Sequence, residues 1–358
     1  MTRASTIHLG DLQVQRLGFG AMQLPGPGVY GPPRDPQRAR AVLRRVVELG
    51  INLIDTSWYY GPFVSNELIA AVLHPYPAGL VIAAKLGGRR TPDKMWHSAL
   101  RPEQLREGCE ADLRTLKLER VDVVHLRWMP SADVPFMEAL DAMIQLQREG
   151  KIRHLGLSNV SPEQIESALQ RTPIVSVQNL YNAAAGEKRL AKLAAHALVS
   201  DQERILSLCE AHKIAFLPFF PLAIPGVSER ANSAIERIAA QRGKTKIQVA
   251  LAWLLQRSPV LTPIPGTSSP EHLEENWAAR TIPPCAFTFG AIAMSSASSR
   301  VRPRPRPHAR HAQAPARDRM KETNERDSRG NPPNAYRFCG SGRRRFNAPR
   351  SPQLLPVA

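Results

Sequence analysis

Eight times before residue 266 a short apolar run gives way to a longer segment of helical periodicity, and this alternation restricts the fold more than any other feature. The short runs are "LGFGAM", "INLID" (Ile51–Asp55), "LVIAAK" (Leu80–Lys85), "VDVVHL" (Val121–Leu126), "IRHLGL" (Ile152–Leu157), "IVSVQN" (Ile174–Asn179), "IAFLPF" (Ile214–Phe219) and "VLTPIP" (Val260–Pro265). They are apolar and β-branched with little polar alternation, as strands covered on both faces are. Segments such as "DPQRARAVLRRVVELG", "RPEQLREGCEADLRTLKL", "VPFMEALDAMIQLQREG" and "KTKIQVALAWLLQRS" lie between them, several opened by Pro or Ser and closed by Gly, as helices are. Strand and helix in strict alternation imply a parallel sheet, and eight units imply a parallel (β/α)8 barrel. The hairpin-like "IHLGDLQVQRL" ahead of the first unit is placed to plug the bottom. A doubly wound dinucleotide fold would need G-x-G-x-x-G after a strand, and "GFGAMQ" lacks the third glycine.

The charge separates the chain into two parts. Of the net +17, residues 280–358 carry 16 Lys+Arg against 4 Asp+Glu, a net +12, which leaves +5 for residues 1–279. The barrel is therefore expected over 1–279, with an Arg/Pro-rich, disordered tail over 280–358, since "RVRPRPRPHARHAQAPARDR" has no apolar periodicity with which to offset the entropy of ordering. Of the 16 basic residues in the tail 15 are Arg, and it holds 11 of the 32 prolines, the bias of a GC-rich message read out of frame; a shifted frame or an unrelated extension is the expectation for this stretch. Such a tail implies weak, salt-sensitive contact with nucleic acid and no specific recognition. The N-terminus lacks the apolar core of a secretory signal, and no run of about 18 apolar residues occurs, so a soluble, cytoplasmic protein without membrane partners is expected. Cys109, Cys209, Cys285 and Cys339 show no paired spacing and read as free thiols. The histidines show no ligand spacing either, so no metal is expected.

A barrel does its chemistry at the C-terminal ends of its strands. Asp55 ends one predicted strand, Lys85 the next, and Tyr60 follows Asp55 in the loop "DTSWYYGP". A lysine beside a phenol favours the phenolate and makes the tyrosine a better acid, and a carboxylate near that lysine keeps it charged and oriented. Together the three suggest a proton-transfer site.

The ordered stretches "GINLIDTSWYYG", "VIAAKLG", "GKIRHLGLSN", "VQNLYN", "LPFFPL" and "PIPGTSSPEHLEEN" resemble the aldo/keto reductase family across residues 7–279, and "DVVHLR" and "VALAWLLQRSP" look most like its bacterial branch that includes pyridoxal reductases. The resemblance implies an NADP(H)-dependent oxidoreductase that takes a small-molecule aldehyde or ketone, pyridoxal among them, to an alcohol. It implies catalytic roles for Asp55, Tyr60 and Lys85 and a cofactor lying across the barrel mouth. Ser158, Asn159 and Gln178 match the positions that hold the nicotinamide carboxamide, Phe219 the ring that stacks on it, and Leu222 a backbone contact to pyrophosphate. Gly266, Thr267, Ser268 and His272 lie where the family holds the adenosine phosphate, Glu275 and Asn276 where it contacts adenine. Trp58, Trp128 and Met129 are expected to line the substrate side of the mouth.

Three departures qualify the resemblance. Where many relatives place a histidine, counting from Asp122 reaches Arg127; His125 faces the same way, roughly 7 Å deeper along the strand. A guanidinium can polarise a carbonyl but cannot give up a proton at neutral pH, so protonation falls to Tyr60. Second, Gly266 and His272 stand where a lysine and an arginine often select the 2′-phosphate; Thr267, Ser268, Ser269 and His272 could still hydrogen-bond it, and NADP(H) is expected with NAD(H) the alternative. Third, the tail replaces a terminal helix. A cofactor-binding regulatory or sensor protein with weak or no turnover is the competing reading.

Overall fold

The structure is a computed structural model that describes residues 5–129, 131–182, 201–219 and 229–283. The chain divides into two compact units, Met1–Val301 and Arg302–Ala358, and all described residues lie in the first. The predicted tail beyond residue 283 therefore lies outside the described residues.

The N-terminal hairpin is present as β1 (Thr6–Leu9) and β2 (Leu12–Gln15), antiparallel with Leu9 opposite Leu12. Two residues make the turn, and Gly10 takes φ +65, the left-handed conformation such a turn requires. Asp11 beside it accepts from Arg153 and His154 at the start of a barrel strand, and the Arg153 bond, the larger cause, holds its carboxyl down at about 2.

The barrel strands follow in the expected order: β3 (Phe19–Gly20), β4 (Leu53–Asp55), β5 (Val81–Leu86), β8 (Val121–Arg127), β9 (Ile152–Ser158), β10 (Ser176–Gln178) and β11 (Ala215–Phe216). All seven pair in parallel, neighbour to neighbour. The eighth run closes the circle. Gly18 N and Gly20 N donate to Pro263 O (2.9 Å) and Pro265 O (3.2 Å) on one side, while Phe216 N donates to Val260 O and Thr262 N to Phe216 O (2.8 Å each) on the other. Gly20 and Gly266 meet at this seam, where a Cβ on Gly266 would come within 2.7 Å of Gly20 O. A short antiparallel ribbon, β6 (Gly88–Arg90) with β7 (Trp96–Ser98), leaves the end of β5.

The helices wrap the outside, and their starts carry the stop and start signals of the sequence. α1 (Pro36–Glu48) has Asp35 as its cap, accepting from Arg38 N at 2.9 Å, with Pro36 in its first turn. α2 (Val64–Leu73), α3 (Pro102–Leu116), α4 (Phe136–Arg148) and α5 (Pro162–Leu169, capped by Ser161) follow their strands. They are succeeded by α6 (Gln202–His212), α7 (Glu229–Arg242), α8 (Lys246–Arg257, capped by Thr245) and α9 (Pro270–Ala278, capped by Ser269).

Alternation along the strands sorts side chains into two sets. Val124, Leu126, Leu155, Leu157 and Val177 face outward and join the helices in one apolar layer. Leu53, Val81, Ala83, Val123, Ala215, Leu217 and Ile264 face inward and pack on Leu9 and Val14 of the hairpin, which closes the bottom as expected. Period two then dictates that Asp55, Lys85, His125, Arg127, Ser158 and Gln178 also point inward, above that plug.

Candidate active site

Register arranges these inward residues in levels. Lys85 lies beside His125, His125 beside Gly156 and Gly156 beside Ser176; one level nearer the mouth, Arg127 lies beside Ser158 and Ser158 beside Gln178. The absent side chain of Gly156 makes the room that the His125 ring fills, since a Cβ there would lie 2.5 Å from His125 Cδ2. His125 is fully buried, with Nε2 2.9 Å from Ser176 Oγ and Nδ1 3.3 Å from Ala84 O. Burial holds its pKa down at about 4, so the ring is neutral. It sits below the reaction level and Arg127 at the mouth, in the order the strand count implies.

At the centre Lys85 Nζ is paired with Asp55 Oδ1, both side chains buried. Lys85 Nζ also donates to Thr56 O (3.2 Å), and the Gln178 amide donates to Asp55 Oδ2 (2.8 Å). The ammonium lies 5.1 Å from the centroid of the Tyr60 ring. Each charge is thus compensated at once, which a buried ion pair requires if it is not to be a net cost.

The loop that carries Tyr60 is pinned from behind. Thr56 Oγ1 donates to Asn66 Oδ1 (2.8 Å), and Asn66 Nδ2 donates to Asp112 Oδ1 (2.7 Å) on α3. Asp112 is wholly buried, and that burial raises its carboxyl to about 7 against the pull of Asn66, the Trp58 backbone and Lys85. Gly61, at φ +98, turns the chain directly after Tyr60 into the space beside Val64.

The electrostatics of Tyr60 differ from the sequence expectation. Its pKa is raised, first by burial and second by the Asp55 carboxylate, with Arg127 acting to lower it. The reason is that Asp55 is bonded to Lys85 and offsets the ammonium, while burial of the phenol disfavours its charged form. Tyr60 therefore holds its proton firmly, which suits a donor to an alkoxide, a base much stronger than a phenolate.

The residues matched to cofactor positions form an arc around this centre. Ser158 is fully buried, and its Oγ has no hydrogen-bond partner among the described residues. Asn159 takes a left-handed φ of 59; its backbone N donates to Gln178 O (3.0 Å) and its Nδ2 to Trp128 O (2.6 Å). The Phe219 ring lies 5.8 Å from the Arg127 guanidinium. Leu222 lies outside the described residues. On the far side of the closing seam, Gly266, Ser268 and His272 are exposed, Thr267 Oγ1 accepts from Ser269 N (3.0 Å), and Ser269 Oγ accepts from His272 N (3.3 Å). Glu275 accepts from the Thr245 hydroxyl, and Asn276 is buried with Oδ1 lacking a partner among the described residues. Two buried oxygens without a partner among the described residues, Ser158 Oγ and Asn276 Oδ1, are ones that a polar ligand laid across the mouth would satisfy. The residues present fit a nicotinamide dinucleotide.

Two of the residues expected to line the substrate side pack elsewhere. Met129 is 2 % exposed and belongs to the outer apolar layer, and the Trp58 indole stacks on Phe63 (5.9 Å) with Nε1 directed at Gly108 of α3. The side chains follow the apolar surface of the helices rather than the cleft. Trp128 is half-buried, edge-on to Phe136 at 5.4 Å. Conversely, the sequence pattern did not single out Arg38. It reaches from the first turn of α1 to Ser269 Oγ (3.1 Å) and Glu271 Oε2 (2.5 Å), placing a cation beside the loop where Gly266 and His272 lack one. No sequence signal links positions 231 residues apart; only the packing of α1 on α9 does.

A closed (β/α)8 barrel with a buried Lys–Asp pair and a phenol at its mouth is the architecture of a barrel oxidoreductase. Residues 16–286 match the model of the aldo/keto reductase family, and the chain belongs to that family. It is 44% identical over 284 residues to pyridoxine 4-dehydrogenase of Escherichia coli, covering 78% of this chain and 94% of that one. It is also 25% identical over 312 residues to the NADH-specific methylglyoxal reductase of the same organism, covering 76% and 91%. Among solved structures, an aldo-keto reductase from Klebsiella pneumoniae in complex with NADPH superposes with a TM-score of 0.65 at 26% identity, over 83% of this chain and 96% of that one.

Proposed function

We propose that this protein reduces an aldehyde or ketone to an alcohol with NADP(H), and that pyridoxal, reduced to pyridoxine, is among its substrates. The observation that carries the reading is the buried Lys85–Asp55 pair set beside the Tyr60 ring at the mouth of the barrel. When bound, the reduced nicotinamide supplies the hydride. Ser158, Asn159 and Gln178 would hold its carboxamide, and Phe219 would cover its ring. Tyr60 donates its proton to the carbonyl oxygen as negative charge develops there. Lys85 steadies the phenolate that is left, and Asp55, held by Gln178, keeps the ammonium charged and oriented. Arg127 adds a fixed positive charge at the mouth and lowers the cost of the oxyanion without exchanging a proton.

The substrate reading is supported by the 44% identity to pyridoxine 4-dehydrogenase, and the cofactor reading by the NADPH complex of a structural relative and by Arg38 beside the 266–272 loop. The NADH-specific relative marks NAD(H) as the alternative. No helix among the described residues is long and apolar enough to cross a membrane, and the reading is of a cytoplasmic protein acting on small molecules. The test is consumption of NADPH and NADH with pyridoxal by the purified chain and by Tyr60→Phe. Turnover that the substitution cuts by about 100-fold or more is expected. Cofactor binding without turnover in the folded wild type would instead support the sensor reading.

A further inference from the structure

Arg90, on the ribbon that leaves the end of β5, is 7 % exposed, yet no carboxylate meets it among the described residues. The single acid of the ribbon, Asp93, is engaged by Thr91, Met95 N and His97. The guanidinium carbon lies 4.3 Å from the centroid of Trp96 and 5.7 Å from that of Tyr30, and Nη2 donates to Gly28 O at 2.9 Å. Nε and Nη1 are buried and without a hydrogen-bond partner among the described residues. Burying a guanidinium without a counter-charge or a full set of acceptors is costly, and ring faces offset only part of that cost.

The position of this cation suggests what would complete it. Trp96 meets Tyr59 edge-on at 5.7 Å, and Tyr59 meets Tyr60 at 5.4 Å. Tyr30 bridges Gly61, the residue after Tyr60, and Gly31 N donates to Gly61 O at 2.9 Å. Arg90 is thus tied to both flanks of the proton donor. Its two covering rings, Tyr30 and Trp96, are only half-buried, so a group entering at the mouth can part them.

We propose that Arg90 determines substrate choice by receiving an anionic oxygen, a carboxylate or a phosphate, that the carbonyl substrate carries away from its reacting carbon. The inference rests on the reductase reading above and deepens it: among the carbonyl substrates of this site, those bearing an anionic substituent are preferred over those without one, such as pyridoxal. Two substrate pairs of matched skeleton test it: 4-formylbenzoate against methyl 4-formylbenzoate, and pyridoxal 5′-phosphate against pyridoxal. The kcat/KM ratio within each pair is measured with NADPH for the wild type, Arg90→Gln and Arg90→Lys. A preference for the anion in at least one pair is expected, falling about 10-fold or more in Arg90→Gln and partly restored in Arg90→Lys; the pair that responds identifies carboxylate or phosphate. No preference in the wild type, or an equal loss on both members of each pair, would overturn the proposal and leave Arg90 as a clasp between Gly28 and the ribbon. Calorimetric titration with benzoate and phenyl phosphate in the presence of NADP+ reads the same site without turnover. Binding that disappears in Arg90→Gln supports the anion site even if no aldehyde is reduced, an outcome that would reject the reductase reading alone, whereas binding equal in both proteins counts against it.

Discussion

Replacing Asp112 by Asn should change how stability depends on pH, by an amount the structure sets. In the folded chain burial raises this carboxyl from 3.8 to about 7. Between those values the folded protein keeps a proton that the unfolded chain has released, so the native state binds more protons and stability falls as pH rises through the window. At about 1.4 kcal/mol per pH unit, the full effect is about 4 kcal/mol, absent below pH 4 and complete by pH 8. An Asn at 112 still offers an oxygen to Asn66 Nδ2 but cannot ionise. It also puts an amide donor where Asp112 Oδ2 is buried without a partner among the described residues, a cost of about 1–3 kcal/mol that is the same at every pH. Urea unfolding followed by circular dichroism at pH 4.5, 6 and 8 separates the two contributions. The variant should gain about 2–4 kcal/mol on the wild type between the first and last pH, whatever its offset at pH 4.5. Other titrating groups are common to both proteins and cancel, including His125, whose depressed pKa makes stability rise with pH between about 4 and 6.5. Parallel pH profiles would refute the reasoning and mean that water or a rearranged Asn66 solvates the carboxylate.

Two further outcomes bear on the cofactor arc. Ser158→Ala removes a buried hydroxyl that has no partner among the described residues, so its unfolding midpoint should hardly move, while the Kd for NADPH, read by quenching of intrinsic fluorescence, should rise about 2–10-fold; an unchanged Kd would remove Ser158 from the site. Arg38→Gln should weaken NADPH by about 10-fold and leave NADH within twofold, and equal effects on both cofactors would show that Arg38 only ties α1 to α9.

The barrel could be read from the chain because its determinants are local. Apolar runs such as "VDVVHL" owe their strand character to their own composition, and caps such as Asp35, Ser161 and Thr245 act within one turn. The closing hairpin was visible for the same reason. Period-two alternation from Val81 and Ala83 fixes the inward aim of Lys85, and the same rule orders His125 below Arg127. Strand ends therefore placed Asp55 and Lys85 at one opening, and the family resemblance added Arg127, Ser158 and Gln178 to it.

What the sequence could not show is the sum of effects from distant neighbours. The expectation of an acidified Tyr60 counted only the lysine. The fold adds burial and an Asp55 that offsets that lysine, and the direction reverses. Trp58 and Met129 sit at loop positions consistent with a mouth, but Gly108 and the outer apolar layer turn them away from it. Arg38 reaches the 266–272 loop only because α1 packs on α9, and Arg90 is enclosed only because Tyr30 and Trp96 come from separate segments. Secondary structure and side-chain facing follow from short-range periodicity, which the sequence carries by itself. Charge compensation, desolvation and ring orientation depend on every group within a few ångströms, and only the tertiary structure decides which groups those are.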